Sequence, residues 1–296
     1  MTPSPRTPPA STSPRVCLAC TKRRRTWRPR PHRSPGPRRD GVSCWSGGAG
    51  WRARNAVGPG VGARGSGKTT LGRAVLGLAP VTEGRIVFQG QDISHATRSD
   101  RRKLSQDLQV VFQDPYSSLN PSLTVGDILA EPLGIQGVTG PDALKRVQEL
   151  LDRVHMPLDA MGRLPREFSG GQRQRIAIAR ALALRPKLIV CDEPVSALDL
   201  STQARVLDLL LEIQQLTGVS YLFVSHDLDV VRHVSHRVAV MYKGELVEQG
   251  EAEQVTGRPE HPYTQKLLLA SPVPDPDRQA IRREERRRHA RETAAA

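Results

Sequence analysis

The chain has 296 residues, 44 Lys and Arg against 30 Asp and Glu, a formal net charge of +14, and 38% apolar side chains. This length suits one large domain or two small ones, and no run approaches the ~20 apolar residues of a membrane-spanning helix. If the chain works at a membrane, a partner does the spanning.

The charge is unevenly spread. Residues 1–64 carry 14 basic and one acidic side chain, residues 278–296 carry seven and three, and residues 65–277 carry 23 and 26. The basic balance therefore belongs to the two ends, and specific nucleic-acid binding is not expected of the slightly acidic middle. Anionic headgroups would attract such ends at roughly 1 kcal/mol per basic residue, although a solvated charge run is favoured over either partner.

The first sixty residues hold 12 Arg and 10 Pro but only Val16, Leu18, Val42 and Val57 among Leu, Ile, Val and Phe. That cannot supply a core, so the segment reads as disordered. It lacks the apolar stretch of about 7–15 residues that a secretory signal needs. Cys17-Leu-Ala-Cys20 has metal-like spacing, with His32 and Cys44 as conceivable further ligands. Nothing around them has the pattern of a small zinc module. Cys191 sits in an apolar run as a small core residue, and the absence of a disulfide framework fits a reducing cytosol.

Next comes Gly62-Ala-Arg-Gly-Ser-Gly-Lys-Thr-Thr70, which fits G-x-x-x-x-G-K-[ST]. Glycines let consecutive N–H groups converge on phosphate oxygens, and the following helix presents its positive end to the same anion. Lys68 is placed to reach the β- and γ-phosphates and Thr69 to supply a hydroxyl for Mg²⁺. A Gly-rich turn is the alternative.

From Val61 onward strands and helices alternate. Arg85–Phe88, Gln109–Phe112, Leu188–Cys191, Tyr221–Val224 and Arg237–Tyr242 are short β-prone runs. Leu71–Leu78 predicts a helix, as do the apolar stripes Ile176, Ala179, Leu182, Ala183 and Val206, Leu209, Leu210, Ile213. The fold class is α/β with a mostly parallel sheet, and ligand loops belong at the carboxyl ends of its strands.

Leu188-Ile-Val-Cys-Asp-Glu-Pro194 is an apolar strand ending in two carboxylates. Asp192 is placed to hold Mg²⁺ and Glu193 to orient and polarise an attacking water, although two acids could also cap a loop. Ser169-Gly-Gly-Gln172 offers a second set of backbone donors at a helix start. One domain has little use for two anion sites on one nucleotide unless they come from different copies. Taken alone, His226 reads as a surface residue, Asp199 as a helix cap beside Ser201 and Thr202, and Gln113 as a loop amide.

Together these residues resemble the ATP-binding subunits of ABC transporters, within the P-loop NTPase class. Gly62–Thr70 resembles the Walker A loop, Gln113 the Q-loop, and Phe168-Ser-Gly-Gly-Gln172 the signature, with Phe for the usual Leu. Leu188–Glu193 resembles Walker B, Ser196-Ala-Leu-Asp199 the D-loop, and His226 the switch histidine. Phe112-Gln-Asp-Pro-Tyr-Ser-Ser-Leu-Asn-Pro121, Gly257-Arg-Pro-Glu-His-Pro-Tyr-Thr264 and Ser271–Pro276 are similar to the dipeptide/oligopeptide importer branch, which nickel and glutathione importers share.

The resemblance implies a head-to-tail pair of cassettes enclosing two ATP molecules. Gly62, Gly65, Ser66, Gly67, Lys68, Thr69 and Thr70 would cradle one ATP, while Ser169, Gly170, Gly171, Gln172 and Asp199 would serve the site across the interface. Glu193, His226 and Gln113 would be catalytic, and Thr69, Gln113 and Asp192 would hold Mg²⁺. The implied partners are membrane permease subunits, a second ATP-binding subunit (a different cassette being favoured over a second copy) and, indirectly, a periplasmic or extracellular solute-binding protein. The implied location is peripheral, on the cytoplasmic face of the membrane.

The organisation that follows is a basic, disordered or aberrant segment 1–56, an ABC domain 57–276 with a helical subdomain about 115–185 and an atypical front, and a basic tail 277–296. The family's leading β-subdomain carries an aromatic that stacks on adenine; Trp27, Trp45 and Trp51 have no strand context, so no adenine platform is assigned. Translation of residues 1–60 in the wrong frame, or from a wrong start, would explain their Arg/Pro/Gly bias. Two alternatives remain: a damaged cassette with weak turnover, or a soluble ABC-type ATPase acting on nucleic acid. The latter predicts a large insertion or second cassette, and the sequence has neither.

Overall fold

A computed structural model of the chain describes residues 16–19, 57–62 and 65–270. Strands and helices alternate in chain order. They begin with β1 (Val16–Ala19), β2 (Val57–Val61), α1 (Lys68–Leu76), β3 (Arg85–Phe88), β4 (Gln91–Asp92), α2 (Arg98–Leu104) and β5 (Leu108–Val111). Four helices follow: α3 (Pro115–Ser118), α4 (Val125–Ile135), α5 (Gly140–Arg153) and α6 (Gly170–Leu182). The chain continues through β6 (Leu188–Asp192), α7 (Leu200–Thr217), β7 (Ser220–Ser225), α8 (Leu228–Val234), β8 (Arg237–Tyr242), β9 (Glu245–Glu251), α9 (Ala252–Gly257) and α10 (Pro262–Ala270).

The main sheet has the order β5-β6-β7-β2-β8-β9. Its first five strands run parallel, and β9 returns antiparallel to β8 at the edge. Apolar side chains on both faces of β6 and β7 explain why these strands are central, since a parallel sheet is covered on both sides. Ile189, Cys191, Tyr221 and Phe223 face a large core shared with α4 to α7, while Leu188, Val190 and Leu222 face a smaller one with α1 and β3. The second sheet, β1-β3-β4, is antiparallel and lies over that smaller core.

Helix starts follow capping chemistry. Ser169 accepts from Gln172 N while the Gln172 side chain accepts from Ser169 N, a reciprocal box that begins α6. Asp199 begins α7 by accepting from Thr202 N at 3.0 Å, and Gly218 ends it in the left-handed region. From Pro115 to Leu182 the chain forms helices only.

Two strands depart from what composition predicts. Residues 1–56 predict no ordered element, yet Val16–Ala19 is a strand antiparallel to β3, with Val16 opposite Phe88. Its four β-compatible residues are hidden by Arg- and Pro-rich neighbours, and the exposed edge of β3 supplies the template. Val57-Gly-Pro-Gly-Val61 is the strand before the phosphate loop, paired with both β7 and β8. Two glycines and a proline mask it in sequence, because proline within a run argues against a central strand. Cys20, His32, Cys44, Trp27, Trp45, Trp51 and the tail beyond Ala270 lie outside the described residues.

The packing that carries α1 is compact: Phe88 is 1% exposed and shares its cluster with Ala74 and Val75. Truncating Phe88→Ala is expected to lower the unfolding free energy by about 3–5 kcal/mol, measured by denaturant titration. A loss below about 1 kcal/mol would mean that β3 does not carry α1.

Candidate functional site

Parallel registration brings four strand ends to one edge of the sheet, where ligands bind in open α/β folds. Val61 of β2 pairs with Ser225 of β7, Val111 of β5 with Cys191 of β6, and Asp192 of β6 with Val224 of β7. The residues that follow these ends are Gly62, Gln113, Glu193 and His226. They lie far apart in sequence, and the sheet delivers them to one place.

The loop after β2 curls around a lysine. Lys68 Nζ donates to Gly62 O at 2.6 Å and to Ser66 Oγ at 3.1 Å. Gly65 and Gly67 take φ of 78° and 96°, which L side chains rarely adopt, and Gly67 stands at the N-terminus of α1. A Cβ on Gly62 would lie 2.1 Å from the backbone oxygen of Met241, so only glycine fits there. The sequence reading missed this support from the β8–β9 turn, where Gly244 N also donates to Ser66 O at 3.1 Å. Lys243-Gly244 marks a turn in sequence, but nothing local says that the turn abuts the loop.

Opposite charges surround the lysine. Burial lowers the pKa of Lys68, and the nearby Glu193 and Asp192 oppose that shift. Thr69 Oγ1 donates to Asp192 Oδ1 at 3.0 Å, tying the first turn of α1 to the end of β6. Burial raises the Asp192 carboxyl above its ordinary value, with Thr69 pulling the other way and Glu193 adding to the rise. Burial and a neighbouring acid both disfavour the charged carboxylate in this way.

Glu193 is the point of convergence. Its φ is 46°, an uncommon value for a residue with a side chain, and it is held by Glu193 N donating to Val224 O at 2.9 Å. Gln113 Nε2 donates to Glu193 Oε2 at 3.2 Å, and His226 Nδ1 lies 3.2 Å from Glu193 Oε1. The carboxylate is largely enclosed whereas the imidazole is 40% exposed. A shallow cavity lined by Glu193, Ser196, Gln203, Ser225 and His226 adjoins them.

Ser169, Gly170, Gly171 and Gln172 form the first turn of α6 and its cap, as described above. They pack against the segment after Glu193: a Cβ on Gly170 would lie 3.4 Å from Leu198 Cδ2, and one on Gly171 2.2 Å from Thr202 Cγ2. Asp199 accepts from Ser201 Oγ at 2.7 Å as well as Thr202 N, and these bonds hold its carboxyl well below the usual range. Cys191 is buried, and burial pushes its thiol far up, away from reactivity. Among the described residues no group of three or more His, Cys, Asp and Glu could hold a metal on its own, and no helix is long and apolar enough to cross a membrane.

The loop, the strand-end acid and the parallel sheet define a P-loop nucleotide-binding domain. A family model described as ABC transporter matches residues 60–196, and one described as Oligopeptide/dipeptide transporter, C-terminal region, matches residues 247–295. The structure of cbiO1 from Clostridium perfringens, part of the ABC transporter complex cbiONQ, superposes with TM-score 0.63 at 30% identity, covering 71% of this chain and 84% of that one. The dimeric post-hydrolysis structure of the ATP-binding cassette MJ0796 bound to ADP and Pi gives TM-score 0.60 at 26% identity, covering 70% and 94%. The chain belongs to the ABC transporter ATP-binding family. The glutathione import ATP-binding protein GsiA of Escherichia coli (strain K12) is 52% identical over 224 residues, 75% of this chain and 36% of that protein. GsiA of Salmonella typhi has the same identity and coverage, so the chain spans about a third of the length of these curated relatives.

Two substitutions test this geometry in thermal unfolding without nucleotide. Gly62→Ala is expected to lower Tm, since its Cβ meets a backbone oxygen that cannot rotate away. Asp192→Asn is expected to raise Tm near pH 7. A carboxyl whose folded pKa lies above its unfolded value costs stability as pH rises through the interval between them, and the amide removes that cost while Oδ1 still accepts from Thr69. A lower Tm for Asp192→Asn would contradict the burial argument.

Proposed function

We propose that this chain binds and hydrolyses ATP to power import of peptides or related small solutes, glutathione among them, through a membrane ABC transporter. The observation that supports this most is Glu193, held between Gln113 and His226 at the strand end beside Asp192, Thr69 and Lys68. The match of residues 247–295 to the oligopeptide/dipeptide transporter region supports the solute class.

The chemistry assigns each group a task. Backbone N–H groups of Gly65 to Thr70 and the start of α1 receive the phosphates, and Lys68 neutralises charge on the β- and γ-phosphates. Thr69 and Asp192 offer adjoining hard oxygens of the kind Mg²⁺ takes, and Gln113 would complete that set. When bound, Mg²⁺ would neutralise charge on the phosphates. Glu193 accepts the proton of a water whose oxygen attacks the γ-phosphorus; the bond to the β–γ bridging oxygen breaks, and ADP and phosphate leave. His226 contacts the γ-phosphate and keeps the Glu193 carboxylate aimed.

Ser169, Gly170, Gly171 and Gln172, with Asp199, act on the ATP of a second ATP-binding subunit, which explains two anion-binding turns in one domain. Positioning and preorganised charge across such a pair supply the rate enhancement. Permease subunits carry the solute, a solute-binding protein delivers it, and the chain sits peripherally on the cytoplasmic face.

The purified chain is expected to bind Mg²⁺-ATP and hydrolyse it, and Lys68→Ala to weaken ATP binding at least about tenfold while the fold is kept. Copurification with permease subunits tests the transport assignment. A folded wild-type chain that binds no ATP would overturn the proposal.

A further inference from the structure

Gln174 stands apart from its neighbours on α6. Arg173 Nε donates to Pro165 O at 2.8 Å and Arg175 Nη1 to Val154 O at 3.2 Å, so the residues on either side have backbone partners. Gln174 itself is fully buried, and neither its amide nitrogen nor its amide oxygen has a hydrogen-bond partner. A primary amide offers two donors and an acceptor oxygen, and leaving them unmade in a core is costly enough that native structures keep such groups for a reason.

Helix geometry gives the face from which this side chain leaves α6. Gln174 is four residues beyond Gly170 and three beyond Gly171, so at 3.6 residues per turn its direction lies between theirs. Those two glycines face Leu198 and Thr202. Gln174 therefore leaves α6 one turn below the phosphate-binding turn, on the face that meets Leu198 and Thr202. The segment Ser196–Thr202 is tied to the backbone of Glu193: Ser196 N and Ser196 Oγ both donate to the Glu193 main-chain carbonyl, at 3.2 and 3.1 Å.

We infer that Gln174 is a positioning residue whose amide finds its partner in the backbone of Ser196–Leu198 when nucleotide closes the cassette pair. The inference rests on the ATPase reading above. Until that bond is made, the buried amide costs stability. Closure shifts α6 against the loop by enough to make the bond, and the two Ser196 bonds carry that constraint to the backbone of Glu193. Arrival of the α6 turn at its phosphate would thus set the acid that activates water, although Gln174 touches neither ATP nor water.

Gln174→Leu and Gln174→Met test this, because both keep the volume and remove the amide. Expected are a nucleotide-free Tm equal to or above wild type, a KM for ATP within about twofold, and a kcat reduced at least about tenfold. A residue that merely fills space would lower Tm or leave kcat alone. An unchanged kcat in either folded variant overturns the inference while leaving the ATPase reading intact. Failure of both variants to fold without nucleotide overturns it as well, since the amide would then have a partner in the resting chain. An inactive wild type would remove the proposed function and this inference with it.

Discussion

The arrangement depends on one carboxylate. Glu193 is reached by an amide from the segment after β5 and an imidazole from the segment after β7, and its own backbone is tied to β7 and to Ser196. The contacts to Gln113, His226 and Val224 join elements far apart in sequence, so Glu193 reports whether the strand ends are aligned. The left-handed φ of 46° shows that its placement is imposed by the surroundings rather than chosen by the local chain. A residue held in this way costs on the order of 1–3 kcal/mol and persists only where the neighbours over-determine it.

Those neighbours are themselves anchored by packing. β6 and β7 are buried throughout apart from Asp192, which is only partly exposed. Above them, Lys68 and Asp192 are carried out of bulk water and shift in the directions that disfavour charge. Their mutual proximity and the Thr69 bond recover part of that cost. A site that buries charge suits a ligand with compensating charge of its own, which the proposed nucleotide and metal would bring.

Much of this was legible in sequence because the informative residues are contiguous. The phosphate loop, the acids after Leu188-Ile-Val-Cys191 and the Ser169–Gln172 turn each carry their chemistry in a few adjacent residues, and the runs at Arg85, Leu188, Tyr221 and Arg237 became β3, β6, β7 and β8. What sequence hid was non-local. β2 is spelled with two glycines and a proline, and it is a strand because β7 and β8 flank it. β9, with three glutamates and one glutamine in seven residues, is an edge strand whose polar composition reads as a loop. The fit of Gly62 under Met241 O and the bond from Gly244 to Ser66 depend on elements that meet only after folding. Nothing local in the sequence singles out Gln174; its burial and its amide without a partner emerge only in the fold.

The central claim is that the Glu193 carboxylate acts on water and not on the binding of nucleotide. Glu193→Gln keeps the size and hydrogen-bonding reach of the side chain and removes its ability to take a proton. The direct measurement is ATP affinity beside single-turnover hydrolysis for this variant and the wild type. The account predicts ATP affinity equal to or tighter than wild type with hydrolysis slowed at least about a hundredfold; hydrolysis at the wild-type rate would contradict it.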